Sequence, residues 1–151
     1  MRKFLFFAIA GICFLPITAL SQVVKLKSFE HFPICVDMRQ DSVLDKLGKP
    51  DSTTSYLYQT TGDSVSLLFY KEWKLLLVNK NVCRIEYSGN FYKTTEGIFV
   101  GNSITILKEK YGPGNTLMNG NIGYNSDNEY KIEFSFFKGV INKIIITCHY
   151  V

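Results

Sequence analysis

Most of the chain after residue 50 alternates between apolar and polar residues with a period of two, which is the pattern of strands with two unlike faces. In the segment 130–137, Ile132, Phe134 and Phe136 share one face, whereas Lys131 and Glu133 lie on the other. This alternation is typical of an antiparallel sheet with one face in solvent. Similar runs predict strands at 56–59, 65–70, 73–78 and 82–88, and again at 118–124, 130–137 and 141–150.

A 17-residue segment that precedes each set of strands occurs twice. Residues 34–50 align without a gap on residues 98–114, at an offset of 64. In both copies an apolar pair leads into a polar residue and then into a short helical pattern that ends at Gly48 or Gly112. A glycine in the left-handed conformation that is soon followed by proline ends a helix. Each copy therefore predicts one short helix followed by a meander of strands.

These elements predict an α+β protein made of two tandem helix-plus-antiparallel-meander repeats. The repeats are expected to form one curved sheet with the helices packed on one of its faces. After an N-terminal segment at 22–33, repeat unit 1 is expected at 34–89, a linker at 90–97 and repeat unit 2 at 98–151. Because one unit alone buries only a small core, we expect the two to fold together as a single compact domain, 34–151.

The second copy has a characteristic sequence around its helix. It reads TEGIFVGNS at 95–103 and, after the helical segment, KYGP at 110–113. This combination resembles the helix-plus-meander repeat of the β-lactamase inhibitor protein-like (BLIP-like) superfamily and, less closely, the small outer-membrane assembly lipoproteins. The resemblance covers residues 34–150, with Asp37 standing in the first copy where Gly101 stands in the second. It implies a curved sheet whose concave face is free to hold a partner protein, and no inhibitor-loop residue can be carried over.

The N-terminus has the pattern of a secretory signal. Basic residues at positions 2 and 3 precede an apolar run at 4–15, and ALS at 19–21 provides small residues where signal peptidase cleaves. The apolar run is shorter than the ~18 residues that a membrane anchor needs. We therefore interpret 1–21 as a signal peptide, and expect a periplasmic or secreted protein with no stable membrane span after cleavage.

Composition and charge narrow the class of partner. With 151 residues, 46% hydrophobic and 20% charged, the chain has the composition of a globular domain rather than of a collagen, a coiled coil or a disordered tail. Loss of the signal lowers the net charge from +4 to +2, because Arg2 and Lys3 leave with it. The remaining lysines are scattered singly among acidic residues and form no basic stripe, so we expect no nucleic-acid partner.

Three cysteines, Cys35, Cys83 and Cys148, remain after cleavage of the signal. An odd number in an exported protein permits at most one internal disulfide and leaves one thiol over. Cys83 and Cys148 both lie on apolar strand patterns, where a free cysteine also fits as a small hydrophobic residue. The sequence leaves open which pair forms a disulfide, and whether any does.

No pattern of residues indicates catalysis. His31 and His149, the two histidines of the chain, could join Cys35 and Cys148 in a zinc ligand set, but the spacings match no zinc finger. Adjacent residues of a strand point to opposite faces, which separates Cys148 from His149. The chain has no nucleophile-elbow motif, and its glycine-rich segments lack the Lys-Ser or Lys-Thr of a phosphate-binding loop. We expect no enzymatic activity, no metal and no cofactor.

An excess of aromatic residues in the first meander is the remaining functional signal. Tyr56, Tyr58, Tyr70 and Trp73 are candidates for protein binding, because aromatic side chains bring a large area with few rotatable bonds. Ordinary core packing is the other interpretation of the same residues. The function favoured by the sequence is an exported, non-catalytic protein-binding module, of inhibitor or immunity type, acting through the open sheet face. The alternative is a structural or assembly factor of the bacterial cell envelope.

The signal predicts the start of the mature chain. Cleavage after Ser21 makes Gln22 the first residue, and Cys13 is expected to carry no lipid because it lies inside the apolar run. The intact mass of the exported protein measures both features. A mass that retains residues 1–21, or that includes a diacylglycerol, would contradict this prediction.

Overall fold

The structure is a computed structural model that describes residues 32–125 and 130–148. The predicted signal peptide, most of the segment 22–33, and His31 and His149 lie outside the described residues. The described residues form two helices and eight strands. The helices are α1 (Gln40–Leu47) and α2 (Ile104–Tyr111). The strands are β1 (Ser52–Leu57), β2 (Ser64–Phe69), β3 (Trp73–Val78), β4 (Asn81–Tyr87), β5 (Asn115–Thr116), β6 (Ile122–Asn125), β7 (Tyr130–Phe137) and β8 (Val140–Cys148).

All eight strands belong to one antiparallel sheet in the order β1-β2-β3-β4-β8-β7-β6-β5. The first four strands and the last four each form a meander, and the pairing of β4 with β8 joins the meanders into a continuous sheet. The predicted α+β class with an antiparallel sheet is confirmed.

The two helices begin and end in the same way. Each has eight residues and follows an extended residue, Arg39 or Ser103, and the Ser103 hydroxyl accepts a hydrogen bond from the Ile106 N–H. Each ends before a glycine with positive φ, 74° at Gly48 and 78° at Gly112. An L side chain rarely adopts this conformation, so glycine stops both helices where the sequence predicted.

One face of the sheet carries the core. Alternate residues of the central strands, such as Leu75 on β3, Ile85 on β4 and Ile144 on β8, are fully buried. Val43 of α1, and Leu107 and Tyr111 of α2, belong to the same buried cluster. The Tyr111 ring lies 5.6 Å from that of Tyr124 and 6.1 Å from that of Phe134, which places α2 against this face, called the helix face below.

The prediction of a single strand at 118–124 is wrong. The chain forms a hairpin there, in which β5 and β6 are joined by a tight turn. The Leu117 N–H donates to the Asn121 carbonyl, and Gly120 has a φ of 81° that lets the chain reverse direction. The turn residues Asn119 and Gly120 outweigh the apolar pattern of their neighbours.

A disulfide joins Cys83 and Cys148, with a Cα–Cα distance of 5.5 Å, and Cys35 is free and exposed. This settles the pairing that the sequence left open. Because Cys83 lies on β4 and Cys148 on β8, the disulfide connects the two strands that join the meanders.

An aromatic cluster closes one end of the core. The Trp73 ring lies 4.3 Å from that of Tyr87, 5.6 Å from that of Phe32 and 5.7 Å from that of Tyr92. Trp73 is only 7% exposed. Its register with Tyr87 places it on the helix face, so the expectation that it lies on the open face is wrong. An indole has a large apolar area, and burying that area against other aromatic rings stabilises the side chain on the helix face.

Trp73→Ala should therefore destabilise the fold. We expect a loss of about 3–5 kcal/mol in the free energy of unfolding, since a buried ring is replaced by a cavity. Tyr58→Ala, at an exposed position, is the matched control and should change it by about 0.5 kcal/mol or less. Urea unfolding followed by circular dichroism measures both. Equal stability of the two variants would show that Trp73 is not part of the core.

Candidate protein-binding surface

The face of the sheet opposite the helix face, called the open face below, is apolar at its β1 end. Residues that pair across neighbouring antiparallel strands point to the same face. The register aligns Tyr56 with Val65 and Val65 with Val78. In the next row on this face, Leu67 lies between Thr54 and Leu76. The outer three strands therefore present aliphatic and aromatic side chains on the open face.

A cavity of about 310 Å³ lies in this part of the open face. We call it the tyrosine pocket; its lining residues are Tyr56, Tyr58, Thr61, Asp63, Val65, Leu76 and Val78. Tyr56 is 46% exposed and Tyr58 53%, and their ring centroids are 5.9 Å apart. Val65 is only 4% exposed although it lies on the open face, so its neighbours already exclude water from it.

The hairpin between β1 and β2 holds Tyr58 in place. The Tyr58 N–H donates to the Asp63 carbonyl over 2.8 Å, and the Gly62 N–H donates to the Tyr58 carbonyl over 2.7 Å. The Asn79 amide, from the next turn, donates to the Asp63 carboxylate over 2.6 Å. Hydrogen bonds from Thr61 and Asn79 lower the pKa of Asp63. These bonds fix the backbone at Tyr58, so a partner that binds there has to order only its side chain.

The centre of the open face carries a network of charges. Glu86 accepts hydrogen bonds from Lys143 over 2.8 Å and from Arg84 over 3.1 Å. Burial raises the pKa of Glu86, but the hydrogen bonds and positive charges of Lys143 and Arg84 outweigh this effect, so the pKa lies below its usual value. The network thus links β4 to β8 on the face away from the helices.

Glu133 on β7 repeats this arrangement. Its carboxylate forms a salt bridge of 3.0 Å with Lys131 and accepts a hydrogen bond of 3.3 Å from the Asn121 amide. Burial raises the pKa of Glu133, but Lys131 and Asn121, with a further contribution from Arg84, lower it below the usual value overall. Paired charges of this kind therefore lie on the open face beside the apolar surface of the outer strands, with the Glu133 side chain itself buried.

The structure separates the four aromatic residues that the sequence singled out. Tyr56 and Tyr58 lie together at the tyrosine pocket. Tyr70 is half-buried against the core on the helix face, and its hydroxyl donates to the Gly48 carbonyl over 3.1 Å. Trp73 lies in the core, as described above. The expectation that all four form one open patch is therefore wrong for Tyr70 and Trp73, which pack against the helix side of the sheet.

Sequence reasoning missed the other five residues of the pocket, the polar Thr61 and Asp63 and the apolar Val65, Leu76 and Val78. The signal that could have found Leu76 and Val78 is the unbroken apolar run at 75–78 on β3. A strand with one wet face alternates, whereas an unbroken run indicates that both faces are covered or apolar.

The described residues give no indication of a metal site or a membrane span. In 32–125 and 130–148, no three histidine, cysteine or acidic side chains gather in a way that could hold a metal ion. In the same ranges, no helix is long and apolar enough to cross a bilayer.

Similar proteins are found among solved structures only at low sequence identity. The fold is similar to that of an extracellular protein containing a SCP domain from Bacillus anthracis str. Ames, with a TM-score of 0.52 and 11% identity over 93% of this chain. The chain spans 50% of the length of that protein. A DUF4309 family protein from Bacillus subtilis subsp. subtilis str. 168 matches with a TM-score of 0.41 and 15% identity, over 73% of this chain and 78% of that one. No family model and no curated protein matches the sequence. At 11% identity, the likeness to the first of these proteins shows a shared fold alone.

The paired glutamates predict a dependence of stability on pH. The pKa of Glu86 and of Glu133 is lower in the folded chain, so the unfolded chain takes up protons first as the pH falls. Their contribution is complete above the usual glutamate pKa of 4.5 and is lost as the pH falls through the lowered folded values. Glu86→Gln should reduce stability at neutral pH and make this acid-side loss shallower.

Urea midpoints measured between about pH 7 and about pH 3 test this prediction. Glu109→Gln, on the exposed side of α2, is the matched control and should leave the profile unchanged. If Glu86→Gln and the control give the same profile as the original chain, then Glu86 contributes nothing through its charge.

Proposed function

We propose that this protein is an exported, non-catalytic module that binds a partner protein through the tyrosine pocket. The observation that carries the proposal is the pair of half-exposed tyrosines beside an apolar cavity of about 310 Å³ on the open face of the sheet. Contiguous apolar surface of this kind usually marks an interaction site. Tyrosines are also common among the residues that contribute most to binding between proteins.

The arrangement of the open face supports a protein partner. Protein interfaces have a core that is rich in aromatic residues and poor in charge, surrounded by a polar rim. The tyrosine pocket has the composition of such a core. The network of Arg84, Glu86 and Lys143 on β4 and β8 has the composition of a rim, because it is polar and its one carboxylate is paired with both cations.

We propose further that the chain consists of two tandem units. The hydrogen bonds around the two helices support this proposal, since they recur at matching places. The N–H of Asp37 donates to the Val82 carbonyl, and that of Gly101 donates to the Ile141 carbonyl, both over 2.8 Å. Both residues have positive φ, 65° for Asp37 and 117° for Gly101. An aspartate thus has a positive φ at the place where the second copy has a glycine.

An inhibitor or immunity role, and an extracytoplasmic location, complete the proposal. The first is supported by the resemblance of residues 95–113 to the BLIP-like repeat. The second is supported by the signal pattern at 1–21 and by the Cys83–Cys148 disulfide, since disulfides persist in oxidising compartments.

Capture from the native envelope fraction, followed by mass spectrometry, tests the proposed binding surface. The bait is the tagged chain, alone and with the double substitution Tyr56→Ser and Tyr58→Ser. Its matched control is Met118→Ser with Phe137→Ser, which removes two exposed apolar side chains elsewhere. The pocket variant should bind the retained partner at least about tenfold more weakly, because truncation of an anchor typically costs about 2 kcal/mol or more. Equal retention by both variants would contradict the proposal.

A further inference from the structure

The two edges of the sheet differ in how well they are protected against pairing with a strand of another chain. At one edge, β5 has only two residues, so it offers little backbone to another chain. At the other edge, β1 has six residues, all exposed, and among the described strands it pairs with β2 alone. The segment 52–58 contains no charged residue and no proline. Natural sheets usually blunt an exposed edge with such residues, because its unpaired N–H and C=O groups attract another strand.

The register identifies which backbone groups of β1 are free to pair outward. The Tyr58 N–H donates to the Asp63 carbonyl, and Tyr56 pairs with Val65 in the same register. Hydrogen bonding alternates along an antiparallel strand, so the even-numbered residues of β1 bond to β2. The N–H and C=O groups of Thr53, Ser55 and Leu57 therefore point away from the sheet.

The side chains of this edge would fit those of a second, antiparallel copy of the same strand, because small residues would lie opposite large ones. The segment begins with the small residues Ser52, Thr53 and Thr54 and ends with the large residues Tyr56, Leu57 and Tyr58, with Ser55 at its centre. In an antiparallel pair of identical strands centred on Ser55, Tyr56 lies opposite Thr54 and Leu57 opposite Thr53. Pairs of aromatic and β-branched residues stabilise antiparallel sheets.

We propose that β1 is the interface of a two-fold symmetric dimer, in which Ser55 of one copy lies opposite Ser55 of the other. This centre satisfies the outward groups of Thr53, Ser55 and Leu57 in both copies. A centre at Thr54 would leave Leu57 without a partner inside the segment. The two-fold axis is perpendicular to the sheet, so the open faces and tyrosine pockets of both copies lie on the same side. The dimer does not depend on the proposed function.

The exposed surface of the edge sets the strength of the dimer. Tyr56 and Tyr58 are about half exposed, and Leu57 is 63% exposed. A side chain of this size presents about 150–250 Å², so these three offer about 300 Å² per copy. Over both copies this is about 600 Å² of side-chain surface, and even with the backbone included the total lies below the ~1,200 Å² at which stable specific interfaces begin. We therefore expect a dimer that dissociates on dilution in about the micromolar range.

Sedimentation velocity of the mature chain, over a dilution series spanning about three orders of magnitude, tests the proposal. The original chain should shift from dimer to monomer on dilution. Ser55→Lys places two positive charges directly opposite each other and should leave only monomer. Asn115→Lys adds the same charge to an exposed position of β5 and is the matched control, which should dimerise as the original chain does. A melting curve confirms that each variant folds.

A cross-link tests the register independently, even if Ser55→Lys fails to fold. Residues opposite each other in a hydrogen-bonded antiparallel pair have Cα atoms about 5.5 Å apart, which suits a disulfide. With Cys35→Ser as background, Ser55→Cys should give a disulfide-linked dimer under mild oxidation, and Asn115→Cys should not. A monomer at every concentration, a dimer that Ser55→Lys leaves intact, or equal cross-linking at positions 55 and 115 would overturn the proposal. The first of these results would leave the edge open to a strand of another protein.

Discussion

The pairing of β4 with β8 is the interaction on which the rest of the structure depends. Without it, the chain would form two separate four-stranded sheets, each with half of the core and one more exposed edge. The pairing extends from Arg84 opposite Thr147 to Tyr87 opposite Ile144. A disulfide closes one end of it, and the ion pair between Lys143 and Glu86 lies across its open face. The Tyr130 hydroxyl adds a hydrogen bond of 2.9 Å to the Asp37 carboxylate, which connects the last four strands to the segment before α1.

Much of the architecture could be predicted from the sequence because its signals are local. Glycines followed by prolines ended both helices, and period-two patterns located β2, β3, β4, β7 and β8 within a few residues. The hairpin of β5 and β6 was not predicted, because Met118 and Ile122 continue an apolar pattern through the turn that separates the two strands. The disulfide could not be predicted, since it depends on β4 and β8 being neighbours, and they are far apart in sequence.

The candidate site was predicted only in part, for a related reason. An aromatic residue on a strand gives no local indication of which face it occupies, and the face depends on the register with its neighbours. Tyr56 and Trp73 both lie on strands of the first meander, yet the register places Tyr56 beside Val65 on the open face and Trp73 beside Tyr87 in the core. Tyr70 likewise follows the buried Leu68 by two residues and so lies on the helix face, where its hydroxyl donates to the Gly48 carbonyl at the end of α1.

The position of Cys148 has a consequence for the order of events during synthesis. A ribosome makes the chain from its N-terminus, so Cys35 and Cys83 are both synthesised well before Cys148. Until then no disulfide links the first meander to the second, and in the part of the chain that follows the predicted signal, Cys83 has Cys35 as its one possible partner. The native disulfide can close only after β8 has been made, and the pairing of β8 with β4 brings Cys83 and Cys148 together. Oxidation before Cys148 has been made therefore joins the wrong pair of cysteines.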